Sequence, residues 1–253
     1  TPRGIMPEAG LGGAAALEQF RQQYGNSITA AGGPRYWGFV TGGVTPAALM
    51  GDWLASATDL NASDKSSAAF YIETETIALL KQLFGLPEDF LGCFVTGATM
   101  SNFTALAIGR QWLGKQRGID IGRDGMAGLS DLRIVSATPH SSISKSMAML
   151  GLGRNSLVKL PVLPDRECVD IAALEAYLET LKGQPVIYVA NAGTVNTVDF
   201  DDIAAIAALK EKYNFWLHVD AAFGGFAACS ETHHHLLKGW ELADSITIDH
   251  ISY

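Results

Sequence analysis

Short apolar runs alternate with longer helical segments from residue 93 onward, and this alternation constrains the fold more than any other feature. The runs with strand character are 93–95, 132–137, 186–190, 215–219 and 245–248. The segments with helical periodicity between them are 100–113, 142–150, 171–181 and 201–213. Two of the runs are almost continuously apolar, as expected for strands that are buried on both faces. The pattern predicts an α/β domain with a mostly parallel sheet.

The first sixty residues follow a different pattern, because they are rich in Gly and Ala and lack strand-like runs. Helices are predicted at 14–24 and 45–60, with irregular backbone around the glycines between them. A further helix at 67–84 ends at Gly85-Leu86-Pro87. We therefore divide the chain into an N-terminal segment, 1–60, and a larger domain, 61–253.

Charge and composition exclude several classes of partner. The net charge is −8 and no stretch concentrates Lys and Arg, which argues against nucleic acid and anionic membranes as partners. The longest uncharged stretch, 90–109, is too polar to span a membrane. The three cysteines are odd in number and form no CxxC pair, which favours a reducing compartment. No N-terminal signal pattern is present, so the expected location is cytoplasmic.

Polar residues follow directly after four of the predicted strands. Ligands bind at the carboxyl ends of the strands in open parallel sheets, so these residues are the candidates for a site. They are the loop Thr96-Gly97-Ala98-Thr99, His140, Thr194 and Asp220. We expect them to lie along one edge of the sheet.

The loop 96–99 precedes a helix and has the features of a phosphate-binding loop. Small residues allow close approach of an anion, and a helix N-terminus offers unpaired N–H groups. The loop is neither a Walker A motif nor a GxGxxG motif. The alternative interpretation is an ordinary helix N-cap made by Thr99 or Ser101.

The other candidates also allow more than one interpretation. Asp220 could be a metal ligand, a ribose-binding group or the partner of a protonated ring nitrogen, since a carboxylate at a strand end needs a positive or N–H partner. His140 could be a functional residue or a loop histidine bonded to a neighbour. His218 is interpreted as a core histidine and the triplet 233–235 as a solvated loop, so no metal site is predicted.

Several motifs in the same order resemble the group II pyridoxal-phosphate-dependent amino acid decarboxylases. This family includes the aromatic amino acid, glutamate and tyrosine decarboxylases. The motifs are YWGFVTGGVTPAALMGDWLA, FVTGATMSNFTAL, PHSSISKSMAMLGLG, NAGTVNTVDFDDI, HVDAAFGGF and ADSITID. The last two are the most specific, and together the motifs cover most of the chain.

The resemblance implies pyridoxal 5'-phosphate as cofactor and assigns residues to it. Gly97, Ala98 and Thr99 would surround the cofactor phosphate. His140 would stack on one face of the pyridine ring, and Ala222 would pack on the other. No metal is implied.

The resemblance also implies the reaction, which is the decarboxylation of an L-amino acid. Asp220 would pair with the pyridine nitrogen and keep it protonated, and Thr194 would hydrogen-bond near the ring or the substrate carboxylate. With His140 these make up the predicted catalytic residues. Phe39 and its neighbours would approach the substrate side chain.

The implied fold is the large domain of the aspartate-aminotransferase type, fold type I, preceded by the irregular, helical segment 1–60. Residues 61–253 would form part of this pyridoxal-phosphate-binding domain. The small C-terminal domain of the family would be missing, so the chain is expected to be truncated. The family places its site at the interface of a homodimer.

The chain departs from the family motif after ADSITID. There the family continues with a variable residue, a His and the Lys that attaches the cofactor covalently, whereas this chain reads Asp249-His250-Ile251-Ser252-Tyr253. Ser252 stands where the lysine is expected, and no lysine follows Lys238. Two interpretations stay open: a decarboxylase, or an inactive, lysine-less fragment or paralogue that binds a partner subunit or a phosphate ligand. A nucleotide-binding α/β protein is a weaker third, since GxGxxG is absent.

Overall fold

The computed structural model of the chain describes residues 4, 8–33, 35–36, 38, 43–61 and 65–249. The described residues fall into two compact units. The first extends to Thr58, and the second begins at Asp59. Phe39, the predicted substrate-side residue, and the positions from 250 onward lie outside the described residues.

The second unit contains a parallel sheet in the strand order β2-β1-β3-β4-β5, so the predicted α/β class is confirmed. The strands are β1 (Arg133–Ser136), β2 (Leu157–Lys159), β3 (Val186–Asn191), β4 (Trp216–Asp220) and β5 (Ser245–Thr247). β3 and β4, at the centre, are buried along their whole length. Parallel sheets require such strands, because both of their faces are covered by helices.

Helices account for most of the remaining regular structure in the described residues. In the first unit they are α1 (Gly13–Tyr24) and α2 (Pro46–Thr58). In the second they are α3 (Ala68–Phe84), α4 (Ala98–Gln116), α5 (Ile121–Asp124), α6 (Ser141–Met149), α7 (Ile171–Thr180) and α8 (Ile203–Ala208). Short 3-10 helices occur at Gly25–Ser27, Ala127–Leu129, Arg154–Ser156, Leu209–Glu211, Gly225–Cys229, His234–Leu237 and Trp240–Leu242. None of the described helices is long and apolar enough to cross a bilayer.

The apolar residues of the sheet divide between two cores, one on each face. Along β3, Tyr188 and Ala190 belong to one core, whereas Ile187 and Val189 belong to the other. Alternate side chains of a strand point to opposite faces, so an uninterrupted apolar run supplies both cores at once. The sheet is therefore a middle layer between two layers of helices.

Different helices cover the two faces. α7 and α8 contribute Leu174, Leu178, Ile203 and Ile206 to the first core. α4 and α6 contribute Leu106, Leu113, Ile143 and Met147 to the second. α4 and α6 also pack against each other, and this packing places the N-terminal ends of both helices near the carboxyl ends of the strands.

The predicted strand at 93–95 is wrong, because these residues form no ladder. Neighbouring Leu91 is 95% exposed and Phe94 is 49% exposed, so the segment is not buried as a central strand of the sheet would be. The amide of Phe94 donates to the Glu73 carboxylate rather than to a strand. One edge of the sheet is formed by β2, a strand that the sequence analysis did not predict, and the other edge is formed by β5. The long helix predicted at 201–213 is also shorter, ending at Ala208 before a 3-10 turn.

The first unit differs from the second in having no buried residue in either of its helices. Leu17 and Phe20 of α1 are exposed, as are Trp53 and Leu54 of α2. Large apolar side chains on helices normally face a core. The helices of this unit therefore present apolar surface that the described chain does not cover with a core of its own.

Candidate active site

Three of the predicted residues lie at or just after the carboxyl ends of three neighbouring strands, and so at the same end of the sheet. His140 follows β1, Thr194 follows β3, and Asp220 is the last residue of β4. β1 and β4 lie on either side of β3, and Asn191 of β3 pairs with Asp220 of β4. The fourth predicted group, the loop 96–99, does not follow a strand and reaches this region as the start of α4.

Asp220 is a nearly buried carboxylate, 7% exposed, and both of its oxygens are engaged. Oδ2 accepts a hydrogen bond from Nδ2 of Asn102 at 2.9 Å. Oδ1 accepts one from the main-chain amide of Ala222 at 3.3 Å. Among the described residues, neutral donors hold the carboxylate and no cationic side chain pairs with it, so its negative charge is available to a positively charged ligand group.

Hydrogen bonds connect Asp220 to His140. Nδ2 of Asn102 also donates to Oγ of Ser142 at 3.0 Å. Oγ of Ser142 lies 2.8 Å from Nδ1 of His140. His140 is exposed and is the N-cap of α6, where its Nδ1 accepts from the amide of Ser142. Asn102 and Ser142 therefore place the imidazole and the carboxylate in one network.

A second histidine lies behind this network. His218 of β4 is fully buried, as expected of a core histidine, and its Nε2 lies 2.9 Å from Oδ1 of Asn102. Burial lowers the pKa of His218, because desolvation disfavours the imidazolium form, although the charge of Asp220 opposes the shift. His218 is therefore neutral at physiological pH and acts as a hydrogen-bonding partner of Asn102.

The N-terminus of α4 has open space at Gly97 and one occupied amide at Ala98. Gly97 is the N-cap, with φ +81°, and has no side chain with which to cap the helix. A Cβ at Gly97 would meet no atom within 4 Å. The alternative of an ordinary side-chain cap does not hold for Ser101, whose hydroxyl pairs with that of Thr247 at 2.9 Å. The amide of Ala98 donates to the Asp249 carboxylate at 3.3 Å.

Thr194 belongs to a separate cluster. Its hydroxyl donates to the Glu167 carboxylate and accepts from the amide of Asp199 at 3.0 Å. Hydrogen bonds from Thr194 and Thr197 lower the pKa of Glu167. Among the described residues, no hydrogen bond links Thr194 to His140 or Asp220. Its predicted role near the ring or the substrate stays a prediction.

An ion pair and a buried acid support the loop that carries Thr194. Arg166 pairs with Asp199 at 2.5 Å, and this guanidinium lowers the pKa of Asp199 to about 2. Asp201 is 3% exposed and accepts from the amides of Val169 at 2.7 Å and Asn191 at 2.8 Å. Burial outweighs these two hydrogen bonds and raises the pKa of Asp201 to about 6. The end of β3 is therefore tied to the neighbouring loop through a carboxylate.

Sequence reasoning missed four polar residues of this region: Asn102, Ser142, Glu167 and Asp249. For Asn102 a signal exists, because Asn102, Leu106, Gly109 and Leu113 recur at helical spacing and all four are buried. An amide on the buried face of a helix needs polar partners, so this position could have been identified. For Glu167 no comparable signal exists, since it lies in a loop.

The residues present fit pyridoxal phosphate as a ligand. The cofactor has a ring nitrogen that pairs with a carboxylate, a flat ring and a phosphate. The site offers the Asp220 carboxylate, the exposed His140 imidazole and the glycine-led N-terminus of α4. Within the described part of the chain, no three His, Cys, Asp or Glu side chains are grouped so that they could hold a metal ion.

Comparisons with known proteins agree with this assignment. The model of the family described as "Pyridoxal-dependent decarboxylase conserved domain" matches residues 13–250. The L-2,4-diaminobutyrate decarboxylase of Rhizobium meliloti (strain 1021) is 34% identical over 249 residues, which are 96% of this chain and 48% of that protein. The aromatic-L-amino-acid decarboxylase of Bacillus atrophaeus is 29% identical over 249 residues, covering 96% of this chain and 50% of that protein.

A solved structure shows the same fold. The glutamate decarboxylase domain of the diaminobutyrate-pyruvate transaminase and L-2,4-diaminobutyrate decarboxylase from Vibrio parahaemolyticus superposes with a TM-score of 0.87 at 26% identity. The match covers 97% of this chain and 55% of that one. The chain thus spans about half the length of the relatives that it matches. Because the family match extends over nearly the whole sequence, the chain belongs to the pyridoxal-dependent decarboxylase family.

Proposed function

We propose that this chain forms the cofactor-binding part of a pyridoxal-phosphate-dependent L-amino acid decarboxylase. The observation that carries the proposal is the network from Asp220 through Asn102 and Ser142 to His140 at the carboxyl ends of β4 and β1. It holds a carboxylate and an imidazole in fixed relation beside a glycine-led helix N-terminus. Family membership supplies the class of reaction.

Each residue has a distinct task in this proposal. Bound pyridoxal phosphate supplies the electron sink for the electron pair that remains when carbon dioxide leaves. Asp220 accepts the N–H of the ring nitrogen and keeps the proton there by charge pairing. His140 and Ala222 confine the two faces of the ring. The amides and hydroxyl of Gly97, Ala98 and Thr99 bind the phosphate.

Thr194 is the remaining predicted contact to the ring or to the substrate carboxylate. In this assignment its hydroxyl leaves Glu167 and turns to the ligand, while the main-chain bond from the Thr194 amide to the Asp199 carbonyl holds the loop in place. The substrate class is an L-amino acid. L-2,4-diaminobutyrate and aromatic amino acids are the first candidates to test, because two relatives carry these substrates in their names.

Covalent attachment of the cofactor requires a lysine at the site. The alternative function is an inactive, lysine-less fragment or paralogue that binds a partner subunit or a phosphate ligand. Borohydride reduction in the presence of pyridoxal phosphate, followed by peptide mapping, separates the two. A labelled lysine beside the site and carbon dioxide release from an amino acid support the decarboxylase. Cofactor binding with no labelled lysine and no carbon dioxide release supports the alternative.

We also propose a homodimer. The support is the exposed apolar surface of α1 and α2, which a second copy of the chain would cover.

Equilibrium dialysis tests the cofactor site itself. The chain is expected to bind pyridoxal phosphate, and Asp220→Ala is expected to weaken binding at least about tenfold, since a charge-assisted hydrogen bond is lost. Asp89→Ala, which removes an exposed carboxylate elsewhere, is the matched control and is expected to bind as the unmodified chain does. Equal affinity of the Asp220 and Asp89 variants would overturn the assignment.

A further inference from the structure

Asn102 is the branch point of the network, and it is completely buried in α4. Its side-chain amide contacts three polar groups: the Asp220 carboxylate, the Ser142 hydroxyl and the His218 imidazole. Buried amides need all their hydrogen-bonding groups satisfied, and here the two hydrogens of Nδ2 and the oxygen Oδ1 each have a partner. No other side chain touches both Asp220 and Ser142 among the described hydrogen bonds.

The orientation of this amide is fixed by Asp220. An ionised carboxylate only accepts hydrogen bonds, so Nδ2 must face Asp220 and Oδ1 must face His218. Since Oδ1 only accepts, Nε2 of His218 must carry a hydrogen. The reversed amide would place two acceptors against each other at 2.9 Å.

The hydrogen bonds of Nδ1, the other ring nitrogen of His218, agree with the assignment of the hydrogen to Nε2. Oγ of Ser245 lies 3.0 Å from Nδ1 of His218 and accepts from Nε1 of Trp216 at 2.9 Å. The indole N–H can only donate, so the Ser245 hydroxyl hydrogen is available to Nδ1. The Ser245 carbonyl, 3.3 Å from Nδ1, would be a partner only for the doubly protonated ring, which burial disfavours.

The same reasoning about donors and acceptors assigns the ring hydrogen of His140. Oγ of Ser142 accepts the second hydrogen of Asn102 Nδ2, so the Ser142 hydroxyl hydrogen is available to Nδ1 of His140. The main-chain amide of Ser142 also donates to this Nδ1 at 3.3 Å. With two donors aimed at Nδ1, the hydrogen of the neutral ring must be on Nε2.

The geometry points to Asn102 as a positioning residue that holds Asp220 and, through Ser142, fixes His140 in the form with its hydrogen on Nε2. One buried amide thus sets both the acceptor offered to a ring nitrogen and the donor offered by the exposed imidazole. The further step, in which the Nε2–H group of His140 donates to an anionic group of the substrate, rests on the proposed function. The hydrogen-bond direction itself does not.

Nitrogen-15 NMR of the histidine rings, without cofactor, tests the inference directly. Two-bond and three-bond imidazole correlations distinguish the two neutral forms, and a His140→Gln variant identifies the signals of His140. We expect His140 at neutral to alkaline pH to carry its hydrogen on Nε2 in at least about tenfold excess. A majority of the Nδ1–H form would overturn the inference whether or not the chain binds pyridoxal phosphate.

Two variants test the part played by Asn102. Asn102→Leu removes the branch point, and the milder Ser142→Ala removes only the link to His140 and leaves the buried Asn102 amide in place. Each is expected to lower the ratio of the Nε2–H to the Nδ1–H form about fivefold, the factor that one hydrogen bond typically supplies. Thr104→Val, on the same helix but bonded only to the Met100 carbonyl, is the control and should leave the ratio unchanged. An unchanged ratio in Ser142→Ala would contradict the inference even if Asn102→Leu did not fold.

Discussion

At the scale of single residues, the polar groups around the site are held by the backbone more than by opposite charges. Asp220 and Asp201 are both nearly buried, and each accepts at least one main-chain amide. Asp201 is also close to the negative charge of Asp199, which disfavours its ionised form. Burial therefore raises the pKa of Asp201 to about 6.

Asp201 predicts a specific dependence of stability on pH. Its pKa is higher in the folded chain than the ordinary aspartate pKa of 3.8, so the folded state binds more protons between about pH 4 and pH 6. Its contribution to folding is therefore largest below pH 4 and is lost as the pH rises through 6, by at most about 3 kcal/mol. Urea unfolding at pH 4.5 and pH 7.5 measures this difference.

The variant Asp201→Asn should flatten this pH dependence and also lower the free energy of unfolding by about 1–3 kcal/mol, because one amide oxygen cannot serve both N–H donors. Asp202→Asn is the matched control, since Asp202 is the N-cap of α8 and asparagine caps equally well. If Asp201→Asn keeps the pH dependence of the unmodified chain, the raised pKa is wrong.

At the scale of elements, close packing of α4 against the sheet positions the site. Gly109 lies where a Cβ would come within 2.9 Å of the Trp216 ring and 3.1 Å of Ile187. Glycine at this point lets the helix approach β3 and β4, and so lets Asn102, two turns earlier, reach Asp220.

Gly109→Ala is therefore expected to destabilise the chain by about 1–3 kcal/mol through overpacking, although alanine is the better helix former. Thermal or urea unfolding measures the change, and Ile108→Ala, at a half-exposed position of the same helix, is expected to have a smaller effect. A stabilised Gly109→Ala variant would show that α4 does not pack this closely.

The sequence predicted the central strands and the edge strand β5, but it missed β2 at the other edge of the sheet. β1, β3 and β4 are apolar on both faces, and such runs are unambiguous. β2 is only three residues long and ends in Lys159, so it has little pattern of its own and depends on its pairing with β1. Residues 93–95 have the composition of a strand but no neighbouring strand to pair with.

The candidate site was predictable to a similar extent. His140 and Asp220 could be found because they follow strands, and the structure joins them through a network. Helical spacing indicates that Asn102 is buried, but its partners and the role of Ser142 depend on how α4 and α6 pack together, which no local pattern encodes. Glu167 approaches Thr194 from a different loop, twenty-seven residues away in sequence.

At the scale of the whole molecule, the two units differ in how they bury apolar residues. The second unit has two cores around its sheet, whereas Leu49, Met50, Trp53 and Leu54 of α2 are all exposed. Contiguous apolar surface of this kind marks an interaction site in soluble proteins.

This surface predicts self-association. The mass of the chain is 26.9 kDa, and sedimentation equilibrium should give about twice that value. The double variant Trp53→Glu/Leu54→Glu should shift the equilibrium to the monomer, because it places charges on the apolar face of α2. The exposed ion pair Arg123→Gln/Asp124→Asn, in the second unit, is a control that leaves both α1 and α2 intact. A monomeric unmodified chain would contradict the proposed homodimer.

The central claim is that Asp220, His140 and the start of α4 together form the pyridoxal phosphate site. A crystal structure of the chain grown with pyridoxal phosphate tests it most directly. The account predicts the phosphate at Gly97–Thr99, the ring between His140 and Ala222, and the ring nitrogen against Asp220. Cofactor found only on surface lysines, with Asp220 still bonded to Asn102 and no ring beside it, would contradict the account.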